Sequence, residues 1–165
     1  YVSPMDLRPT ADQDLLRRAV REFAETDVRP HVREWDEAEA FPRDLVRKLG
    51  DLGLTGIQVV EAYGGAGLSA VDYCICIEEL ARVCPAVALS VAAHNGLCSA
   101  HISAFGSGEQ KKQYLPRLVR GEVWGAWGLT EAGAGSDAAG MRTTAVRRAA
   151  ISAAGATNEG GLTRG

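Results

Sequence analysis

From Thr10 to Gly121 the apolar positions recur at the three- and four-residue spacing of amphipathic helices. Leu15, Leu16, Ala19, Val20 and Phe23 form a first stripe with arginines and acids between them. Thr10 followed by Gln13 is a capping box, in which each side chain satisfies a free backbone N–H at the helix start. A second helix opens at Pro42, since proline suits a first turn whose N–H has no partner anyway. Leu45, Val46, Leu49 and Leu52 are its stripe, and Gly53 stops it. Ser69 with Asp72 opens a third helix. Its Val71, Tyr73, Cys74, Ile75, Cys76, Ile77 and Leu80 cover nearly every side, a pattern that predicts burial all round. Pro85 breaks the run, and a fourth helix, rich in alanine and small residues, extends from Ala86 to Phe105 and ends at Gly106. Ser107 with Gln110 is another capping box, opening a fifth helix through Tyr114, Leu115, Leu118 and Val119 to Gly121. Pro116 within it should remove one backbone bond and bend it.

Alternation of the strand type is nearly missing from this stretch; GIQVV at 56–60 is the one short candidate. EAYGGAGLS at 61–69 reads as a loop, its glycines opening backbone angles other residues avoid. Short links between successive helices favour antiparallel packing, as in a bundle. The character changes at Glu122: VWGAWGLT at 123–130 is aromatic and apolar and reads as a strand, followed by the glycine- and alanine-rich loop EAGAGSDAAG at 131–140.

Composition narrows the class of protein. The chain has 165 residues, 46% hydrophobic and 24% charged, enough to bury a sizeable core. A net charge of -3 supplies no broad basic surface for nucleic acid or an anionic membrane. No run approaches the roughly 20 apolar residues of a membrane-spanning helix. The opening YVSPMDLRPT lacks the basic head and apolar run of a secretory signal, so a soluble cytoplasmic protein is expected. Cys74, Cys76, Cys84 and Cys98 fit no zinc spacing and fall in apolar stretches, where free cysteine behaves as a small hydrophobe. His31, His94 and His101 have no partner at a recognisable catalytic spacing; His94 and His101 fall roughly on one face of the fourth helix and are read as core or surface residues. No metal site is expected.

The 131–140 loop is where chemistry is expected. Gly133, Ala134 and Gly135 leave the backbone nearly bare, and Ser136 adds a hydroxyl at the same place. A bare backbone can bring N–H groups close to a phosphate, although a merely flexible loop would use glycines too. Gly133-x-Gly135-x-x-Ala138, with Glu159 further on, also fits a dinucleotide fingerprint. That fingerprint requires a strand, a tight turn and a helix in a βαβ unit, whereas the chain upstream is helical and the threonines beyond Gly140 make a poor helix.

The whole phrase GLTEAGAGSDAAG at 128–140 resembles the signature of the acyl-CoA dehydrogenase family, in which Leu-Thr-Glu is followed by two variable residues and Gly-Ser-Asp. EAYGGAGLS, IEELAR at 77–82 and GSGEQKKQYLPRLVRGE at 106–122 resemble phrases of its helical domain in content and order, so the resemblance covers nearly all of 10–146. It implies a mainly α fold: an amino-terminal helical, bundle-like domain over 1–121, the first strand and flavin-binding loop of a truncated β-barrel domain over 122–146, and a divergent tail over 147–165. It implies FAD as cofactor, lined by Trp127, Gly128, Leu129, Thr130, Glu131, Ala132, Gly133, Ala134, Gly135 and Ser136. Thr130 would bond the isoalloxazine ring, Gly135 and Ser136 would lie by the pyrophosphate, and Ser136 would also approach the acyl-CoA substrate. EAYGGAGLSAVDY and AAHNGLCSAHISAFG would contribute to the acyl pocket. For a full-length parent the resemblance implies an electron-transfer flavoprotein as partner and a homotetramer, with no nucleic-acid or membrane partner.

After Val146 the family pattern stops. From residue 128 onward there is no Phe, Trp or Tyr, and Leu129, Met141, Val146, Ile151 and Leu162 are too few to cover a barrel core. The tail is therefore expected to be disordered, as a shifted frame or a truncated gene would leave it. The family's catalytic glutamate has no counterpart here, since Glu78, Glu79 and Glu131 match no base position. A flavoenzyme fragment without turnover, an oxidase or monooxygenase on the same scaffold, and a helical interaction module or decayed product without flavin are the readings left open.

Overall fold

A computed structural model describes residues 8–144. The tail at 147–165, Val146 and Glu159 lie outside the described residues. Apart from one isolated bridge, the regular structure of the described residues is entirely helical. Helix α1 spans Ala11–Phe23, capped by Thr10 and Gln13 in the reciprocal bonds expected. The helical path continues through a π-helical turn, Ala24–Val28, and a 3-10 turn, Arg29–His31, into α2, Val32–Glu37. Helix α3 is Arg43–Asp51, with Pro42 as its cap rather than inside its first turn. Gly53 ends it with φ +78, a left-handed conformation that glycine adopts without a Cβ penalty. Helix α4, Ala70–Ala81, starts at the Ser69–Asp72 capping box. Helix α5, Pro85–Ala92, runs through a π-helical stretch, Ala93–Ser99, into α6, Ala100–Phe105. Helix α7, Gly108–Val119, begins at the Ser107–Gln110 capping box and carries Pro116.

By its contacts the chain divides after Trp127 into a helical unit and a second unit beginning at Gly128. In the helical unit α1 packs on α4, and α4 on α5. Val20, Ala24, Val28, Leu49, Ile57, Cys76, Leu80 and Val91 form the main core. Val59, Leu115, Leu118 and Val119 form a second cluster. The loop from Leu54 to Leu68 links them. Its Ile57 and Val59 carbonyls accept the amides of Leu68 and Gly67. That folding back leaves no space at Gly65, where a Cβ would stand 2.0 Å from the Val59 carbonyl oxygen.

Several expectations are corrected. Residues 123–130 form no strand, and neither do 56–60. A strand exists by exchanging backbone bonds with a neighbour, and among the described residues the only bridge is the isolated one between Glu131 and Ala134. Helix α4 is not enclosed on all sides: Ile75, Cys76 and Leu80 are buried, but Val71 is 57% exposed and Cys74 is exposed. The single fourth helix is broken by a π-helical stretch, and α2 had no sequence signal assigned to it.

Candidate functional site

The chain leaves α7 after Val119, and the next residues, as far as Trp127, stay with the helical unit. What holds them is the π-helical stretch. There His94 is fully buried, its Nε2 3.0 Å from the Thr55 carbonyl and its Nδ1 2.9 Å from the Gly125 amide nitrogen. A carbonyl only accepts and an amide only donates, so Nε2 carries the proton and Nδ1 is bare. Burial holds this imidazole below its ordinary value, against the Thr55 and Leu118 carbonyls, which favour the protonated ring. The Trp124 ring packs on it with centroids 4.6 Å apart. Asn95, next in sequence, donates to the Leu54 and Val91 carbonyls and accepts from the Ile57 amide, stitching the loop to the helices. Further along, the His101 ring lies against Trp127 with centroids 3.9 Å apart.

The residues expected to line a flavin fall on both sides of the division between units. Trp127 belongs to the helical unit and is 41% exposed. Gly128, Leu129 and Thr130 are exposed and belong to no regular element. Glu131 and Ala134 exchange backbone bonds of 2.8 and 3.3 Å, folding a tight turn with Ala132 and Gly133 at its tip. The Glu131 carboxylate closes the segment from the other side, accepting the amides of Arg142 and Thr143 at 2.9 Å each. Those bonds hold its carboxyl below the usual range, Arg142 contributing most. Glu131 therefore shapes the loop, and both its oxygens are occupied.

The amides of Gly133, Gly135 and Ser136, and the hydroxyls of Thr130 and Ser136, make no hydrogen bond to the described residues. A Cβ placed on Gly133 or Gly135 would meet nothing within 4 Å. Unspent donors on exposed residues, two of them glycines with room at Cβ, suit phosphate oxygens and a ring carbonyl. Among the described residues no group of His, Cys, Asp and Glu is arranged to hold a metal ion, and no helix is long and apolar enough to cross a membrane. The cysteines are unpaired, and burial pushes Cys76 up to about 12, as for an inert core thiol.

The sequence reading of His94 and His101 as core or surface residues holds for the buried His94 but gave neither a tie to the exit segment, and Gly125 was given no role. The one available signal was the shared helix face of the two histidines, and nothing local tied either to the segment before Trp127.

Comparison with known proteins supplies the remaining findings. The family model for the acyl-CoA dehydrogenase N-terminal domain matches residues 10–122. The chain is 45% identical over 142 residues to the short-chain specific acyl-CoA dehydrogenase of Clostridium acetobutylicum, covering 86% of this chain and 38% of that one. It superposes on butyryl-CoA dehydrogenase from Megasphaera elsdenii with TM-score 0.78 at 37% identity, over 84% of this chain and 37% of that one. Glutaryl-CoA dehydrogenase from Mycobacterium smegmatis, solved in complex with FADH2, gives TM-score 0.77 at 36% identity, over 82% of this chain and 35% of that one. The chain thus spans well under half the length of the relatives it matches.

Proposed function

The chain belongs to the acyl-CoA dehydrogenase family through its amino-terminal domain, and on that premise we propose that Trp127–Ser136 is a contact for FAD in the α,β-dehydrogenation of acyl-CoA thioesters. The observation that carries this reading is the set of unspent donors on exposed residues: the Gly133, Gly135 and Ser136 amides and the Thr130 and Ser136 hydroxyls, none of which bonds to the described residues.

Thr130 would donate to a ring carbonyl of the flavin. The Gly135 and Ser136 amides would bind the pyrophosphate, with the Ser136 hydroxyl shared between that group and the acyl-CoA. Bound FAD supplies the acceptor for the substrate's β-hydride. The chain's own residues supply position, and fixing reactants in a reactive geometry is a large part of such a rate enhancement. Glu78, Glu79 and Glu131 would not take the α-proton. Glu79 is buried and paired with Arg21, Glu131 is committed to two backbone amides, and Glu78 lies exposed on α4. On this reading the 165-residue chain alone turns over no acyl-CoA. Electron-transfer flavoprotein as acceptor and assembly as a homotetramer belong to the same proposal for a full-length protein.

Titration of the purified chain with FAD, followed by tryptophan emission, tests the reading. Saturable quenching is expected. Thr130→Val should weaken binding of both FAD and riboflavin, and Ser136→Ala should weaken FAD alone, because riboflavin has no phosphate. Absence of saturable FAD uptake, or equal effects of Ser136→Ala on both ligands, would overturn it.

A further inference from the structure

A wholly buried imidazole sits where the chain leaves the helices, and it is aimed at the departing backbone. The loop it touches on its other side has anchors of its own. Asn95 binds Leu54 and Ile57, and the Thr55 hydroxyl donates to the Val119 carbonyl. The distinctive bond of His94 is therefore the one from its bare Nδ1 to the Gly125 amide, 2.9 Å away. Gly125 fits that place because it has no side chain: a Cβ there would stand 2.6 Å from the Cys98 Cβ and 3.3 Å from Nδ1. Trp124 covers the imidazole from the residue before, and Trp127 is braced on His101 two residues later.

We infer that His94 is a positioning residue for Trp127, the first residue of the flavin-binding segment: its unprotonated Nδ1 captures the Gly125 amide and so holds the run Trp124–Trp127 on the helical unit. The inference rests on the reading of Trp127–Ser136 as the flavin contact. A proton on Nδ1 would turn the acceptor into a donor facing another donor, so the hold is released as the ring titrates. Burial of the ring outweighs the two carbonyls that favour its protonated form. Thr55 and Leu118 present carbonyls, and the exit segment presents an amide and an indole. Cys98 also borders Gly125, and burial holds that thiol above its ordinary value, hence neutral. Arg117 of α7 and Arg120 just beyond it are half-exposed, and each pairs with Glu122 of the exit segment.

The test follows amide hydrogen exchange at Gly125, corrected for intrinsic chemistry, across a mildly alkaline to acidic series. It uses the unsubstituted chain, His94→Asn and His94→Leu, with FAD affinity measured on each. Asparagine places an acceptor near the Nδ1 position and does not titrate. Protection of Gly125 is expected to fall roughly tenfold in a single one-proton step in the unsubstituted chain. His94→Asn should keep that protection within a few-fold and lose the step, and His94→Leu should lose protection at every pH. FAD affinity should follow the same step. Persistence of the step in His94→Asn, or a step in protection with FAD affinity unmoved, would overturn the inference. If His94→Leu fails to fold, the presence of the step and its absence in His94→Asn still decide. A chain that shows the exchange step but takes up no FAD at any pH keeps the clamp and overturns the flavin reading instead.

Discussion

Arg21 and Glu79 meet between α1 and α4 in a two-pronged ion pair, Nε to Oε2 and Nη2 to Oε1, both at 2.8 Å. The two ends differ in surroundings: the Glu79 side chain is 1% exposed and that of Arg21 is 45% exposed. Helix α4 thus carries a buried carboxylate into the core, where the guanidinium must reach it from the solvent edge. An uncompensated buried charge is costly, and the fork of a guanidinium matches a carboxylate in shape.

The pair sets the acid side of stability. The hydrogen bonds from Arg21 hold the Glu79 carboxyl below its ordinary 4.5. The folded chain then resists a proton that the unfolded chain accepts near that value, so the stabilisation is present above 4.5 and is lost as pH falls through the folded value. Glu79→Gln is expected to lower the urea midpoint at neutral pH, with the gap to the parent closing in acid. Because Arg21 is half-solvated, the loss falls short of that for a fully enclosed pair. A gap constant across the pH series would contradict this account.

His94 contributes a second component at higher pH. Burial holds the folded imidazole below 6.5, so the unfolded chain takes up a proton first. Stability is fully present above 6.5, declines as pH falls below it, and levels off once the folded ring titrates. His94→Asn is expected to remove this decline and leave the Glu79 component in place. At neutral pH the variant should start about 1–3 kcal/mol lower, since the Thr55 carbonyl loses its buried donor. Urea midpoints between neutral pH and the carboxylate range measure both effects.

The second core cluster gives a test of packing. Leu115 is fully buried beside Leu118 and Val119, whereas Leu89 is 71% exposed. Leu115→Ala should cost about 2–5 kcal/mol, the transfer of the lost atoms plus the cavity left behind. Leu89→Ala should fall within about 0.5 kcal/mol of the parent in the isolated chain. Chemical denaturation of both variants measures the contrast, and equal losses would mean that this cluster is not the core of its region.

What the sequence allowed one to read depended on range. The capping boxes at Thr10, Ser69 and Ser107 were legible because both partners lie within one helical turn. The stripes Leu45, Val46 and Leu49, and Leu115, Leu118 and Val119, were legible because period reports the buried face directly. VWGAWGLT misled because β-propensity says that a segment fits a sheet, not that a neighbour is present to pair with it. Cys74 and Val71 misled because an apolar residue is not thereby buried. The unspent donors from Thr130 to Ser136 were anticipated by composition and by family phrase. The His94 bonds span 39 and 31 residues, to partners that are plain backbone, and backbone leaves no mark in a sequence.

The glycines of the signature can be separated from glycines that serve packing. At Gly65 a Cβ would stand 2.0 Å from a backbone oxygen, so Gly65→Ala forces the 54–68 loop apart and should destabilise the helical unit severely. At Gly133 and Gly135 a Cβ meets nothing within 4 Å, and neither has a left-handed φ. Alanine there should leave the urea midpoint within about 0.5 kcal/mol of the parent. If a pyrophosphate approaches this backbone, the added methyl intrudes on the ligand and not on the protein. FAD affinity should then drop roughly tenfold, equivalent to about 1.4 kcal/mol. Riboflavin, which has no phosphate to place there, should bind both variants nearly as well as the parent. Unchanged FAD affinity in Gly133→Ala and Gly135→Ala together would mean that no phosphate lies against this turn. Its bare amides would then be a property of the loop rather than of a site.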